Sequence, residues 1–141
     1  MRQLIIARKD LPMSAGKLAA QVSHASMAWL SNLIRTASRV ENGNGYRVTI
    51  DIDADIYDGW LNGIFTKTVC EARNKSHLLK AITLAEELGL HEGMDFFLIH
   101  DACLTELEPE DEDGTTLTCI GFKPLPDDVA HAISRKYQLF R

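Results

Sequence analysis

Lys17 stands where a charged side chain could do chemistry, in a turn that joins a short apolar segment to a predicted helix. Strand-to-helix turns are common places for ligand sites in α/β proteins. A helix N-terminus carries partial positive charge, so a lysine there favours a negative group nearby. That group could be a ligand phosphate, a substrate oxyanion or a carboxylate of the protein. A solvated lysine is the alternative interpretation, because its long stem tolerates a small electrostatic penalty.

The turn before Lys17 does not form a Walker phosphate-binding loop. Leu11 stands where that motif needs its first glycine, and Leu18 replaces the Ser or Thr that would hold Mg²⁺.

Asp101 directly follows a buried, apolar segment, Phe96–Ile99, with only His100 between them. A carboxylate at the end of a strand, near a lysine at a helix start, could orient water, accept a proton or fix the lysine. The alternative is a structural aspartate that closes its own loop in an Asx-turn.

Three polar residues share one face of the first predicted helix, since Lys17, Gln21 and His24 step by four and by three. This row borders the apolar stripe of the helix, as a cleft wall would. It is equally compatible with the ordinary boundary of an amphipathic helix. His24 by itself is more typical of a partly buried, hydrogen-bonded histidine than of a catalyst.

Two other chemical interpretations are weaker. Cys103 could act as a nucleophile with His24 or His100 as its base, but no Cys/His signature surrounds it, and inert cysteines are common. The acidic run between Glu106 and Asp113 lacks the spacing of an EF-hand. It is therefore expected to be a solvated loop rather than a metal site.

Strand-like and helix-like segments alternate along the chain, which predicts α/β layering around one small sheet. Ser14 is the expected N-cap of the first helix. A loop is expected at 41–45. The predicted strands are 3–8, a weak one at 47–52, 67–72, 96–99 and 116–121; the predicted helices are 16–39, 55–65, one capped by Ser76 that ends at 87, and one from Pro126 to about Tyr137.

Composition places the chain among ordinary globular proteins, with 141 residues, 45% hydrophobic and 25% charged. Such a length fits one domain. The three cysteines are odd in number and form no C-x-x-C pair, which argues against a disulfide framework or a zinc site and favours a reducing cytoplasm. No apolar run is long enough to span a membrane, and the apolar stretch Leu4–Ala7 is too short for a signal peptide.

Charge is unevenly distributed although the formal net charge is −5. The first 39 residues carry six basic side chains and one acid, whereas the remainder carries nine basic and nineteen acidic side chains. The surface formed by the first segment could therefore face an anion.

Residues 6–26 closely resemble the opening of the type 2 peptidyl-tRNA hydrolases. That family carries R-x-D-L-x-M followed by G-K-x-A-A-Q-x-x-H-A, and this sequence matches it from Arg8 to Ala25. Residues 98–105 resemble the family's L-I-x-D-A-G-x-T, residues 116–121 resemble its T-x-L-x-I-G, and residues 137–140 resemble its ending.

The resemblance implies one domain over 1–141, with a four-stranded mixed β-sheet flanked by helices on both faces. Residues 40–65 are longer than the family pattern leads us to expect, so we interpret them as an insertion. It implies hydrolysis of the ester that links a peptide to the 3′ ribose of tRNA, without metal or organic cofactor, by a protein that is often a homodimer. The residues that it assigns are Lys17, Asp101, Thr105 and Thr116 to catalysis, and Gly16, Gln21 and His24 to substrate binding.

The sequence also departs from the family pattern. Ser14 and Ala15 stand where a glycine and a basic residue are usual, Cys103 replaces a glycine and Leu104 a basic residue. The loop after Thr105 is longer and acidic, which should weaken binding to a phosphate backbone. Two other functions therefore stay open: a non-catalytic binding module on the same fold, and a hydrolase of a smaller ester or amide. Turnover that falls steeply with salt would indicate tRNA.

Overall fold

The computed structural model describes residues 1–141, and a mixed sheet organises the chain. Five strands lie in the order β5-β6-β1-β4-β7. Strands β1 and β4 are parallel, whereas β6 is antiparallel to both of its neighbours, β1 and β5. The strands of this sheet are β1 (Arg2–Arg8), β4 (Lys67–Ala72), β5 (Phe96–Asp101), β6 (Thr116–Leu125) and β7 (Gln138–Leu139).

Helices cover both faces of the sheet, as predicted. The helices are α1 (Ala15–Thr36), α2 (Ala54–Ile56), α3 (Lys75–Glu87) and α4 (Asp127–Ser134). Alternate side chains of β1 point to opposite faces: Leu4 and Ile6 belong to the core shared with α3 and α4, and Ile5 and Ala7 pack with α1. This alternation explains why β1 reads as a continuous apolar run.

The sheet has five strands where four were expected. The additional strand, β7, pairs with β4 through Cys70 and Glu71. Helix α4 ends at Ser134, earlier than the predicted end at Tyr137, and the chain then turns back along β4. A strand of two residues is too short to give any periodic signal.

The segment after α1 differs most from the prediction. A separate two-stranded sheet, β2 (Ser38–Asn42) and β3 (Gly45–Thr49), replaces the expected loop at 41–45 and single strand at 47–52. Gly43 and Asn44 form the two-residue turn, and Gly43 adopts a positive φ of 61° at its first position, which glycine accommodates. The expected helix at 55–65 is α2 followed by a π-helical turn, Tyr57–Leu61, and Trp60 packs with Trp29.

Several element ends were also shifted. Helix α3 begins earlier than predicted because Asn74, not Ser76, is its N-cap, with the side chain accepting from the backbone N–H of His77 at 2.8 Å. Strand β5 extends to Asp101 and β6 to Leu125, while α1 stops at Thr36 because β2 follows.

Helix α1 is the longest helix, with 22 residues, and it lies across β6 and β5. Gly121 of β6 allows this contact, since a Cβ there would overlap the backbone carbonyl of Ala25 and lie 2.9 Å from its Cα. None of the helices combines the length and the apolar character needed to cross a membrane.

Candidate active site

The candidate site lies where the carboxyl ends of β1 and β5 meet the first turn of α1. Both strands are antiparallel to β6, which lies between them, so they end at the same edge of the sheet. Lys17 Nζ lies 2.6 Å from Asp101 Oδ1, and the two side chains are 14% and 10% exposed. The two residues that the sequence selected from distant segments thus form a largely buried ion pair.

Asp101 is held from three directions. Its Oδ1 accepts from Lys17 Nζ and from Gln21 Nε2 at 3.1 Å, while its Oδ2 accepts from the backbone N–H of Cys103 at 3.1 Å. The last contact closes an Asx-turn, so the structural and the functional interpretations of Asp101 both apply. The carboxylate is therefore fixed in position as well as paired.

Gln21 is buried and engaged at both ends of its amide. Its Oε1 accepts from Thr118 Oγ1 at 2.6 Å, and its Nε2 donates to Asp101. Gln21 therefore connects strand β6 to the site carboxylate.

Ser14 is the N-cap of α1, as predicted, with Oγ accepting from the backbone N–H of Lys17 at 3.2 Å. Lys17 Nζ also donates to Thr105 Oγ1 at 3.2 Å. Gly16 is exposed in the first turn and keeps the surface beside Lys17 free of a side chain.

A second carboxylate lies at the start of α1. Glu106 accepts from the backbone N–H of Ser14 at 2.8 Å and from its Oγ at 2.7 Å. These hydrogen bonds from Ser14 lower the pKa of Glu106. The negative group expected near Lys17 was a ligand phosphate, a substrate oxyanion or a carboxylate of the protein. The structure contains carboxylates of the protein there, those of Asp101 and Glu106.

The acidic loop folds back on the body of the protein instead of being fully solvated. Glu110 accepts from the buried guanidinium of Arg8 at 2.6 and 2.8 Å, and Arg8 also binds Asp10 and the carbonyl of Leu117. Asp111 pairs with Lys75 at 2.7 Å. The hydrogen bond with Arg8 lowers the pKa of Glu110 and raises that of Arg8. Since Glu106 is bound to Ser14, the expectation of a solvated loop holds only for Glu108, Glu112 and Asp113.

Thr116 is fully buried and serves the same loop. Its hydroxyl donates to the carbonyl of Glu108 at 2.8 Å and accepts from the backbone N–H of Glu110 at 2.9 Å. The hydroxyl makes no hydrogen bond to Lys17 or Asp101, unlike that of Thr105.

His24 lies apart from the ion pair. It is exposed on α1 and lines a groove of about 360 Å³ between α1 and β5, together with Met27 and Phe97. Neither ring nitrogen of His24 forms a hydrogen bond within the protein. Of the polar row predicted on α1, Lys17 and Gln21 therefore reach the site, and His24 does not.

Cys103 has no imidazole partner. Its Sγ contacts Thr116 Oγ1 and the carbonyl of Asp101, both at 3.4 Å. Its φ of 57° lies in the left-handed region that favours glycine, which explains why the resembling motif carries glycine at this position.

Sequence reasoning missed three contributors: Thr118, Glu106 as a partner of Ser14, and the pairing of Arg8 with Glu110. Thr118 was detectable in principle, since a hydroxyl at the centre of an apolar strand needs a buried partner. The other two depend on how the loop folds, for which local sequence gives no signal.

The arrangement can support general acid–base chemistry on a bound electrophile. Asp101 is a positioned carboxylate, and Lys17 is a positioned cation beside a hydroxyl and a helix N-terminus. Such groups can orient water and stabilise a developing oxyanion. No group of three or more His, Cys, Asp or Glu side chains has the geometry to hold a metal ion.

The chain matches one protein family over nearly its full length. The profile of the family described as "Peptidyl-tRNA hydrolase PTH2" matches residues 1–140. The peptidyl-tRNA hydrolase of Methanopyrus kandleri is 32% identical over 140 residues, 99% of this chain and 98% of the relative. Those of Sulfolobus acidocaldarius and Thermococcus sibiricus are each 28% identical, over 139 and 138 residues; they cover 99% and 98% of this chain, and 99% and 96% of the relatives. This chain belongs to the peptidyl-tRNA hydrolase PTH2 family.

Proposed function

We propose that this protein hydrolyses the ester bond between the peptide and the tRNA of peptidyl-tRNA, releasing free tRNA. The observation that carries the proposal is the Lys17–Asp101 pair at 2.6 Å, held at the edge of the sheet by Gln21 and by the turn at Cys103. Family membership supplies the substrate class, since the relatives are named peptidyl-tRNA hydrolases.

Asp101 is the group that positions or deprotonates the attacking water. A carboxylate offers about four lone-pair sites. Lys17 and Gln21 occupy two on Oδ1, and Cys103 N–H occupies one on Oδ2. One site on Oδ2 remains for a water molecule.

Lys17 is the group that stabilises the oxyanion of the tetrahedral intermediate. An ammonium has three donors, and those of Lys17 reach Asp101 and Thr105, which leaves one for a substrate oxygen. The N-terminus of α1 adds partial positive charge on the same side. Thr105 completes the site by holding the ammonium, and Gly16 leaves room for the approaching ester.

Turnover of N-acetyl-aminoacyl-tRNA, followed as release of free tRNA, tests the proposal. Lys17→Ala and Asp101→Asn should each lower kcat on the order of 10²-fold or more, as the loss of one oxyanion donor or base does. Lys123→Ala is a matched control, because it removes another lysine–aspartate pair, Lys123–Asp95, near the other end of β6. Full turnover by either site variant would contradict the assignment.

A smaller ester or amide is the second candidate substrate, and the acidic loop favours it. Glu110 and Asp111 neutralise Arg8 and Lys75 near the site, which removes charges that a phosphate backbone could use. A phosphate-free substrate, N-acetyl-aminoacyl-adenosine, distinguishes the two. Equal kcat/KM for adenosine ester and tRNA, with no response to salt, would favour the smaller substrate; no turnover of either would favour a binding module.

The proposal extends to three further properties. A homodimer is expected from the resemblance, and sedimentation velocity would test it. A cytoplasmic location is inferred because all three cysteines are free thiols. Treating 1–141 as one domain with 40–65 inserted also stays a prediction, which deletion of the β2–β3 hairpin with retention of turnover would support.

A further inference from the structure

A basic groove lies between α3 and the segment that follows α4. Its volume is about 420 Å³, and Arg73, His77, Lys80 and Lys136 line it together with Thr83, Leu84 and Tyr137. None of the three long basic side chains forms an ion pair with a carboxylate of the protein. The groove therefore presents uncompensated positive charge.

Basic residues closer to the candidate active site are compensated instead. Arg8, Lys17 and Lys75 are paired with Glu110, Asp101 and Asp111, respectively. In a chain of net charge −5, an anionic ligand would find few unpaired cations at this edge of the molecule outside the groove.

His77 is fixed so that it can donate into the groove. Its Nδ1 accepts from the backbone N–H of Arg73 at 3.1 Å, and its ring stacks on Tyr137 with centroids 4.5 Å apart. Because Nδ1 is an acceptor, the proton of the neutral ring must lie on Nε2, which is then a donor. One carboxylate, Glu71, lines an adjoining pocket that shares Arg73, His77 and Lys136 with the groove, and it lies 3.7 Å from Lys9 Nζ.

One end of the groove, at Arg73, lies at the edge of the sheet that carries the Lys17–Asp101 pair, although α3 covers the opposite face of the sheet from α1. Arg73 directly follows β4, which is parallel to β1 and so ends at that edge. Strand β4 is three strands away from β5, about 14 Å at a spacing of roughly 4.8 Å per strand. A stacked nucleic-acid strand advances about 3.4 Å per phosphate, so this spacing within the sheet corresponds to at least about four nucleotides.

We propose that this groove binds backbone phosphates of the RNA part of the substrate, a few nucleotides from the ester held at Lys17 and Asp101. The proposal rests on the proposed function for the identity of the RNA. It resolves the contrast between an acidic loop at the reaction site and a polyanionic substrate, because the phosphates are bound at a separate, unpaired basic surface.

The test compares Lys80→Gln/Lys136→Gln with Arg39→Gln/Arg47→Gln, which removes the same charge from exposed, unpaired residues of the β2–β3 hairpin. Turnover of N-acetyl-aminoacyl-tRNA and of N-acetyl-aminoacyl-adenosine is measured at several salt concentrations. Binding of deacylated tRNA is titrated separately by fluorescence.

The groove variant should raise KM for the tRNA ester about tenfold with kcat unchanged, and leave the adenosine ester unaffected. The slope of log binding constant against log salt should fall by about 0.7 to 0.9 for each lost phosphate contact. Equal losses in the hairpin variant, or an equal loss on the adenosine ester, would overturn the proposal.

The two proposals fail separately. If the wild type binds tRNA but cleaves neither ester, the hydrolase assignment fails. The groove proposal is then still tested by the ratio of the tRNA binding constants of the groove and hairpin variants. If wild-type tRNA binding is absent or independent of salt, the groove proposal is wrong whatever the adenosine ester shows.

Discussion

Gln21 illustrates how a residue that does not touch the reacting atoms can still determine the reaction. Its amide joins Thr118 on β6 to Asp101 on β5. We expect Gln21→Ala to lower kcat about tenfold while KM stays unchanged, because the carboxylate loses one of the contacts that orient it. Steady-state kinetics on N-acetyl-aminoacyl-tRNA, with the thermal midpoint measured in parallel, would check this.

Thr118→Val is the second single variant of a double-mutant cycle with Gln21→Ala. It removes the partner of Gln21 with little change of volume. The double variant should lose no more than Gln21→Ala alone, because the two residues act as one chain. Additive losses in kcat would mean that Gln21 and Thr118 act independently and do not orient Asp101 as one chain.

Cys103 carries a second prediction at the scale of single residues. Its left-handed backbone costs a non-glycine residue about 1 kcal/mol, which a glycine would not incur. A glycine also raises the entropy of the unfolded chain, and this offsets part of the stabilisation. We expect Cys103→Gly to change the free energy of unfolding by between zero and about 1 kcal/mol of stabilisation. Turnover should be retained, since the thiol has no imidazole partner; abolished turnover in a folded variant would restore the nucleophile hypothesis.

The sequence could suggest which single residues to consider together, and the structure places two of them, Lys17 and Asp101, 2.6 Å apart. Lys17 and Asp101 lie at junctions of elements, where residue type and position alone suggest chemistry. The contact between Glu106 and Ser14 could not be predicted in this way. The two residues are 92 positions apart, and only the path of the loop brings them together.

Among the elements, the crossing of α1 over β6 has the strictest packing requirement. A Cβ on Gly121 would overlap the backbone of Ala25, which no side-chain rotation relieves. Gly121→Ala should therefore lower the free energy of unfolding by about 1–3 kcal/mol, the usual range for overpacking. It should also reduce turnover, because α1 carries Lys17 and Gln21.

Urea unfolding followed by tryptophan fluorescence would measure the loss. Gly45→Ala is the control, since a Cβ there meets only the carbonyl of Asn42, at an ordinary 3.9 Å. Similar losses in both variants would mean that helix–strand contact is not the cause.

Element prediction succeeded where segments are long and periodic and failed where they are short. Strand β1 and helix α1 have strong apolar patterns, whereas β7 consists of two residues and pairs only because the chain turns back after α4. In the hairpin, β2 was missed and β3 was predicted only in part, as the weak strand at 47–52. All side chains of the two strands are exposed, so neither strand has the buried face that gives a clear pattern.

At the scale of the whole molecule, charge distribution could be predicted only in part. The basic excess in the first 39 residues is real, yet Arg8 and Lys17 are neutralised by acids from the other end of the sequence. Unpaired basic residues are found instead in the groove formed by Arg73, Lys80 and Lys136. Net charge per segment cannot reveal such pairing, since it depends on tertiary contacts.

The Arg8–Glu110 pair should make stability depend on pH in a defined direction. The hydrogen bond with Arg8 lowers the pKa of Glu110 from 4.5, so the folded protein binds this proton more weakly than the unfolded chain. Its contribution to stability is complete above pH 4.5 and is lost as the pH falls through the lower, folded value. Glu110→Gln should therefore unfold more easily at pH 7 but approach the wild type near pH ~3.

The expected loss at pH 7 is about 1–2 kcal/mol. Arg8 is buried, but Glu110 is 35% exposed and Asp10 still accompanies the arginine, so the value lies between those of exposed and buried pairs. Glu112→Gln, an exposed carboxylate of the same loop without an ion pair, should change stability little at either pH. A difference between Glu110→Gln and the wild type that persists unchanged at low pH would mean that the loop is held by its backbone contacts to Thr115 and Thr116 rather than by charge.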